Sequence, residues 1–153
     1  MAASFTKSTA RNIFYGGSLF FVLVFLAMTF QTERTISKYD NSANLTPAAI
    51  RGKKLWEVNN CGGCHTLLGE GAYFAPELGN VYTRRGPAFI KMWIMSRPTN
   101  EQWLKARAAS PVHTHRRQMP NFNLNEQQVD DLVEFLKYTN GINSGNWPPN
   151  KEG

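Results

Sequence analysis

Eighteen consecutive residues, Ile13 to Phe30, carry no charge and read IFYGGSLFFVLVFLAMTF. At about 1.5 Å per residue, a helix of that length reaches about 27 Å, close to the hydrocarbon thickness of a bilayer. The run is therefore expected to be a single membrane-spanning helix. Lys7 and Arg11 precede it as the basic region of a cleaved signal would. The apolar stretch exceeds a usual signal core and no clear small-x-small cleavage site follows, so a retained anchor is the expectation. Arg34 and Lys38 balance Lys7 and Arg11 across the span, and the bias of positive residues gives no orientation.

The remainder of a 153-residue chain has room for one ordinary core. Net charge is +6, and eight basic residues between Arg84 and Arg117 face one acid, Glu101. That stretch suits an acidic surface or the carboxylates of a cofactor. No recognition helix, aromatic RNA-binding motif or zinc-finger spacing accompanies the charge, so nucleic acid is not expected as a partner. Short helices follow one another. Thr46 caps a helix opened by Pro47, with Ile50, Leu55, Trp56 and Val58 expected on its apolar side and Gly52 marking a close crossing. Pro87 and Pro98 bracket a helix whose apolar face is Phe89, Ile90, Trp93 and Ile94. Thr99 and Gln102 form a capping box for a short helix carrying Trp103 and Leu104. Asn125 caps the last, where Val129, Leu132, Val133, Phe135 and Leu136 recur at helical spacing before Gly141. No alternating run predicts a strand.

Cys61-Gly-Gly-Cys64-His65 has the form C-x-x-C-H, the attachment signal of a c-type haem. Two intervening residues place the sulfurs about one helical turn apart, within reach of the two vinyl groups on one haem edge, and leave the adjacent imidazole free to turn onto the iron. Three other readings compete. A thioredoxin-like dithiol needs a strand-to-helix context and no following histidine. A zinc site would recruit His113 and His115, whose spacing is too short for the usual finger. A disulfide across so short a loop stabilises little. For the second axial position, Met92 and Met95 sit on a helix where methionine commonly fills a core. His113 and His115 are further candidates. Met119 precedes Pro120 in RRQMPNFNLN, where an extended backbone presents the thioether from a loop. A His/Met pair leaves no open coordination position, which implies electron transfer rather than substrate chemistry at the iron.

Taken together, GKKLW, CGGCH, the Pro76 loop, MPNF and VDDLVEFLKY resemble the class I c-type cytochromes over residues 46 to 140. The resemblance implies an all-α fold, a single N-terminal transmembrane helix followed by a class I cytochrome c domain. It implies a crossing of first and last helices at Gly52 and Trp56 against Leu132 and Phe135 or Leu136. Pro76, eleven residues after His65, is implied to offer its carbonyl to the other imidazole nitrogen. The expected division is 1–38 for tail and anchor, 39–45 for a linker, 46–142 for the cytochrome c domain and 143–153 for a C-terminal tail.

HTLLGEGAYFAPELGNVYTRRG, the single span and the terminal WPPNKEG are more specific: they resemble the cytochrome c subunits of bacterial nitric oxide reductases. That resemblance implies one covalent haem c on Cys61 and Cys64, with His65 and Met119 as axial ligands. It also implies a soluble periplasmic donor, a small cytochrome c or a copper protein. The acceptor is then a large polytopic catalytic subunit that turns NO into N2O. It implies a calcium ion, Ca2+, at the interface with that subunit, held partly by oxygens at Gly71 and Tyr73, which suits a hard cation but fills only part of its shell. Covalent haem attachment in such bacteria is periplasmic. The haem domain is therefore expected in the periplasm and Met1 in the cytoplasm, across the inner membrane. Two other readings stand beside this one. The first is a cytochrome of another complex, such as a haem-copper oxygen reductase, or a free anchored shuttle. The second is an enzyme or gas sensor using His113 or His115. Arg116 and Arg117 are expected to pair with haem propionates or with a partner.

Overall fold

The computed structural model of the chain describes residues 5–109 and 118–145. It divides into two compact units between Asp40 and Asn41. The first is dominated by one helix, α1, Lys7–Thr35, followed by a 3-10 turn at Ile36–Lys38. Thr6 caps α1 by accepting from the Thr9 N–H at 3.2 Å. The helix buries none of its residues and contains a stretch of mean hydropathy 2.1, long and apolar enough to cross a membrane. Its threonine hydroxyls near the C-terminal end are internally satisfied. The hydroxyls of Thr29, Thr32 and Thr35 each donate to the carbonyl four residues back at 2.9 Å, which suits an environment where free polar groups are costly.

The second unit is helical: α2, Pro47–Val58; α3, Val81–Arg85; α4, Pro87–Met95; α5, Asn100–Ala109; and α6, Glu126–Asn140. The expected caps form. Thr46 accepts from the Ala49 N–H, Thr99 and Gln102 bond reciprocally, and Asn125 and Gln128 make a full capping box. The core gathers Val81, Ile90, Val133 and Leu136 from α3, α4 and α6, with Trp56, Leu67, Leu78, Tyr82 and Ile94 packed against it.

The face of α2 meets the expectation at Gly52 and Trp56 and departs from it elsewhere. Ile50 and Val58 are exposed, while Ala49 and Gly52 are buried against α6. The crossing is so close that a Cβ at Gly52 would overlap the Asp131 backbone carbonyl and press on Phe135 Cβ. Small residues therefore form the seam, and bulkier ones are excluded from it. Asp131, itself buried, is reached from α2 by Arg51, whose Nε and Nη2 donate to its two carboxylate oxygens at 2.8 and 2.7 Å. Arg51 holds the Asp131 carboxyl below its usual range, outweighing the opposing effect of burial.

Two further details depart from the sequence reading. A two-residue ladder joins β1, Thr66–Leu67, to antiparallel β2, Glu70–Gly71, through Leu68 and Gly69, both at positive φ. Strands of two residues are too short to show alternation, and the tight turn at Leu68-Gly69 is what pairs them. Gly141 ends α6 with an ordinary φ of −84° rather than a left-handed one. A side chain there would strike Asn41, whose Nδ2 donates to the Tyr138 carbonyl at 2.8 Å and so satisfies the end of α6. Asn41 lies in the stretch 39–45 expected as a linker.

Gly52→Ala should lower stability by about 2–3 kcal/mol, since both obstructing groups at the crossing are main chain or Cβ; denaturant melts followed by helical circular dichroism measure it. Asp131→Asn should be less stable at pH 7. The depressed carboxyl contributes stability above its unfolded pKa of about 4, lost as pH falls through the lower folded value. The gap between wild type and variant should therefore close in acid melts; a gap constant from pH 7 to pH 3 would refute the pairing.

Candidate functional site

Cys61–Gly63 forms a single 3-10 turn entered through Asn60, which sits in the left-handed region at φ 52°. The Cys61 carbonyl accepts from the N–H of Cys64 at 3.1 Å and of His65 at 2.9 Å, coiling the motif into one helical turn. The loop that follows is laced back onto it. Ala72 N donates to the Gly62 carbonyl, and Phe74 and Ala75 N both donate to the Cys64 carbonyl, at 2.9–3.1 Å. Gly71 lies at φ +118° so close to the motif that a Cβ would overlap the His65 carbonyl. Glycine is required there by both dihedral and space.

His65 Nδ1 lies 2.7 Å from the Pro76 carbonyl oxygen. A carbonyl only accepts, so Nδ1 carries the proton and Nε2 keeps its lone pair. Burial lowers the imidazole below the usual histidine range, against the Pro76 carbonyl and the Glu77 charge, which both favour its charged form. The ring is therefore a neutral base with one nitrogen fixed and one available. It stands 6.4 Å from the Trp56 ring, which in turn stands 6.0 Å from Phe135. The helix crossing thus supports the histidine from behind.

A cavity of about 390 Å3 opens at this point, lined by Cys61, His65, Pro76 and Met119 among a majority of apolar residues. The face predicted for α4 forms one wall, with Phe89, Ile90, Trp93 and Ile94 all lining it. Met92 and Met95 point elsewhere and are half-exposed. Met119 and His65 thus share one apolar slot. Burial also pushes the Cys61 thiol up to about 11, so the thiol is neutral at physiological pH. Among the described residues no third His, Cys, Asp or Glu joins Cys61 and Cys64 in a metal-binding group, and the two thiols are not joined to each other. An imidazole, a thioether and the Cys61 thiol lining an apolar slot, with Cys64 at the end of the same turn, fit a flat, largely hydrophobic macrocycle held covalently and through its iron.

Gly71 and Tyr73 lie on the exposed side of the loop, Tyr73 with 74% of its surface free. His113, His115, Arg116 and Arg117 fall outside the described residues, as does the terminal WPPNKEG. Arg84 and Arg85 of α3, the first two residues of the basic stretch suited to a cofactor's carboxylates, line the cavity, whereas Phe122 and Leu124, lining it beyond Met119, were not anticipated from the sequence. The YTRRG string carries the two arginines just ahead of the proline that opens α4. Glu77, on the same loop, is half-buried, and its Oε1 accepts from the Leu68 and Gly79 N–H groups.

The family profile of cytochrome c matches residues 49–140. Full-length relatives extend the likeness to the whole chain. The nitric oxide reductase C subunit of Stutzerimonas stutzeri is 54% identical over 153 residues, spanning 100% of both chains. The proteins of the same name from Paracoccus denitrificans and Halomonas halodenitrificans are 45% and 41% identical, again over 100% of each chain.

The raised Cys61 thiol has a direct consequence for the chain before any cofactor is attached. Since the thiolate is the nucleophile, Cys61 in the folded chain should alkylate with iodoacetamide at pH 8 at least about tenfold more slowly than in urea, and should accelerate only as pH nears 11. Equal rates in the two states, resolved by peptide mass analysis, would contradict the burial of this sulfur.

Proposed function

The chain belongs to the cytochrome c family and, within it, to the nitric oxide reductase C subunits, electron-transfer cytochromes with covalent haem c and an apolar N-terminal helix that fits a membrane anchor; from this we propose how it works. It accepts single electrons from a soluble periplasmic donor, a small cytochrome c or copper protein, and passes them to a polytopic catalytic subunit that reduces NO to N2O. Cys61 and Cys64 would hold one haem by thioether bonds, and His65 and Met119 would ligate its iron. Bound in this way, the haem supplies one-electron exchange between ferric and ferrous iron. The observation that carries the reading is the His65–Pro76 hydrogen bond, which fixes the tautomer and leaves Nε2 as the free nitrogen of a residue lining the same slot as Met119.

The chain's own groups do the rest. Pro76 orients the imidazole and raises its basicity. The apolar lining excludes water and lowers the local dielectric. Arg84 and Arg85 at the cavity offer positive charge to the propionates. With His65 and Met119 both supplied to the iron, the protein would leave no coordination position for a substrate. Residues 46–142 form the cytochrome domain on the periplasmic side, 1–38 the tail and anchor with Met1 in the cytoplasm, 39–45 the connection and 143–153 the tail. The backbone oxygens of Gly71 and Tyr73, on an exposed loop, are offered to a Ca2+ ion shared with the catalytic subunit.

The test is purification in mild detergent. The expected result is a stable complex with a polytopic subunit, NO reductase activity, and a low-spin haem c that does not bind CO when reduced. Met119→Ala should open the iron to CO and abolish electron uptake from the donor. Isolation as a monomer without such a partner, or CO binding to the unmutated haem c, would overturn the reading.

A further inference from the structure

Glu77 stands where two stitched segments meet. Its neighbour Pro76 presents the carbonyl that holds His65 Nδ1. Its own Oε1 accepts from the Leu68 N–H at 2.9 Å, across on the turn that follows the histidine, and from the Gly79 N–H at 2.8 Å. Leu78 N donates to the Thr66 carbonyl at 3.0 Å, and Arg84 Nη2 holds the Glu77 carbonyl from α3 at 2.9 Å. The position of the Pro76 carbonyl is therefore set by the side chain one residue further on.

The other carboxylate oxygen, Oε2, is buried and has no hydrogen-bond partner among the described residues. Glutamine would make the same two bonds through its own carbonyl oxygen, without burying a charge. A carboxylate in this place is accounted for if its charge acts on its neighbours: Arg84, whose guanidinium holds the Glu77 carbonyl, and His65, whose Nδ1 is bonded to the carbonyl of the residue just before. On the reading given above, His65 carries an iron centre one unit more positive when oxidised than when reduced. A nearby negative charge then favours the oxidised form, as do hydrogen bonds that raise the basicity of the ligand.

We propose that Glu77 is a positioning residue for the axial histidine: its Oε1 clamp holds the Pro76 carbonyl on His65, and its buried Oε2 lowers the reduction potential of the haem. The proposal rests on His65 being an iron ligand, as proposed above. A purely scaffolding glutamate would affect folding and leave the potential where it is.

The experiment is potentiometric titration of the haem c absorbance in the full-length chain within its detergent-solubilised complex, for wild type, Glu77→Gln and Glu77→Ala, with covalent haem content and thermal unfolding measured alongside. Glu77→Gln keeps an acceptor for both N–H groups, and should retain wild-type haem content and unfolding temperature while its midpoint moves to higher potential. Glu77→Ala should move it further in the same direction, because the clamp is lost as well as the charge. Should the alanine variant fail to mature, the glutamine variant alone decides. A glutamine variant with bound haem and the wild-type midpoint overturns the proposal. Wild-type protein lacking covalent haem, or with haem that binds CO when reduced, overturns the functional reading instead, and this proposal with it.

Discussion

The approach of α2 to α6 at Gly52 governs the cytochrome unit. With no side chain at that position, the backbone of α2 meets the Asp131 carbonyl directly, and no other residue type fits. Everything near the cavity is referenced to that contact. Phe135 follows Asp131 by one turn and carries Trp56, which lies beside His65. An error of a few tenths of an ångström at the crossing would be transmitted through these rings to the imidazole, because packed interiors transmit displacement rather than absorb it. The pairing of Arg51 with Asp131 ties the helices from the solvent side of the same contact, so the crossing is held by shape and by charge together.

The motif turn is held less by regular structure than by single hydrogen bonds. Between His65 and Gly79 the regular structure is one two-residue ladder, yet the carbonyls of Gly62, Cys64, Thr66 and Pro76 are each engaged. Each of these bonds fixes a few atoms. A loop laced in this manner can present particular carbonyls at particular points, which a helix or strand cannot do without committing them to its own ladder.

What could be read from the sequence follows from how local each signal is. Caps, proline openings and the C-x-x-C-H spacing depend on residues within a turn of one another, and the caps at Thr46, Thr99 and Asn125 stand as expected. The face of α4 was legible for the same reason, since Phe89, Ile90, Trp93 and Ile94 follow helical spacing. The face of α2 was legible in part: Gly52 as a close crossing and Trp56 as inward-facing stand, while periodicity placed Ile50 and Val58 inside and passed over Ala49, which a close crossing favours for its size. Gly141 was legible as a helix end but not for its reason, which is Asn41, a hundred residues earlier. Glu77 was illegible because its two partners are backbone N–H groups, which every residue has and no sequence displays.

Two enclosed carboxylates of this unit are treated differently, and the difference is informative. Asp131 has both oxygens occupied by one guanidinium, with Gln127 adding a longer bond, so its charge is neutralised where it stands. Removing a charge from water is tolerable under those terms, and the residue contributes to the crossing and nothing further. Glu77 has one oxygen satisfied by two neutral donors and the other enclosed without any among the described residues. Neutral donors orient a carboxylate and stabilise it without cancelling its field. A charge oriented in this way acts on whatever lies within reach, and here that includes the Arg84 guanidinium on the Glu77 carbonyl and the imidazole of His65, which lines the cavity. The two carboxylates thus differ in what binds their oxygens: a guanidinium on both oxygens of Asp131, and backbone N–H groups on one oxygen of Glu77, with the nearby Arg84 guanidinium on its main-chain carbonyl instead.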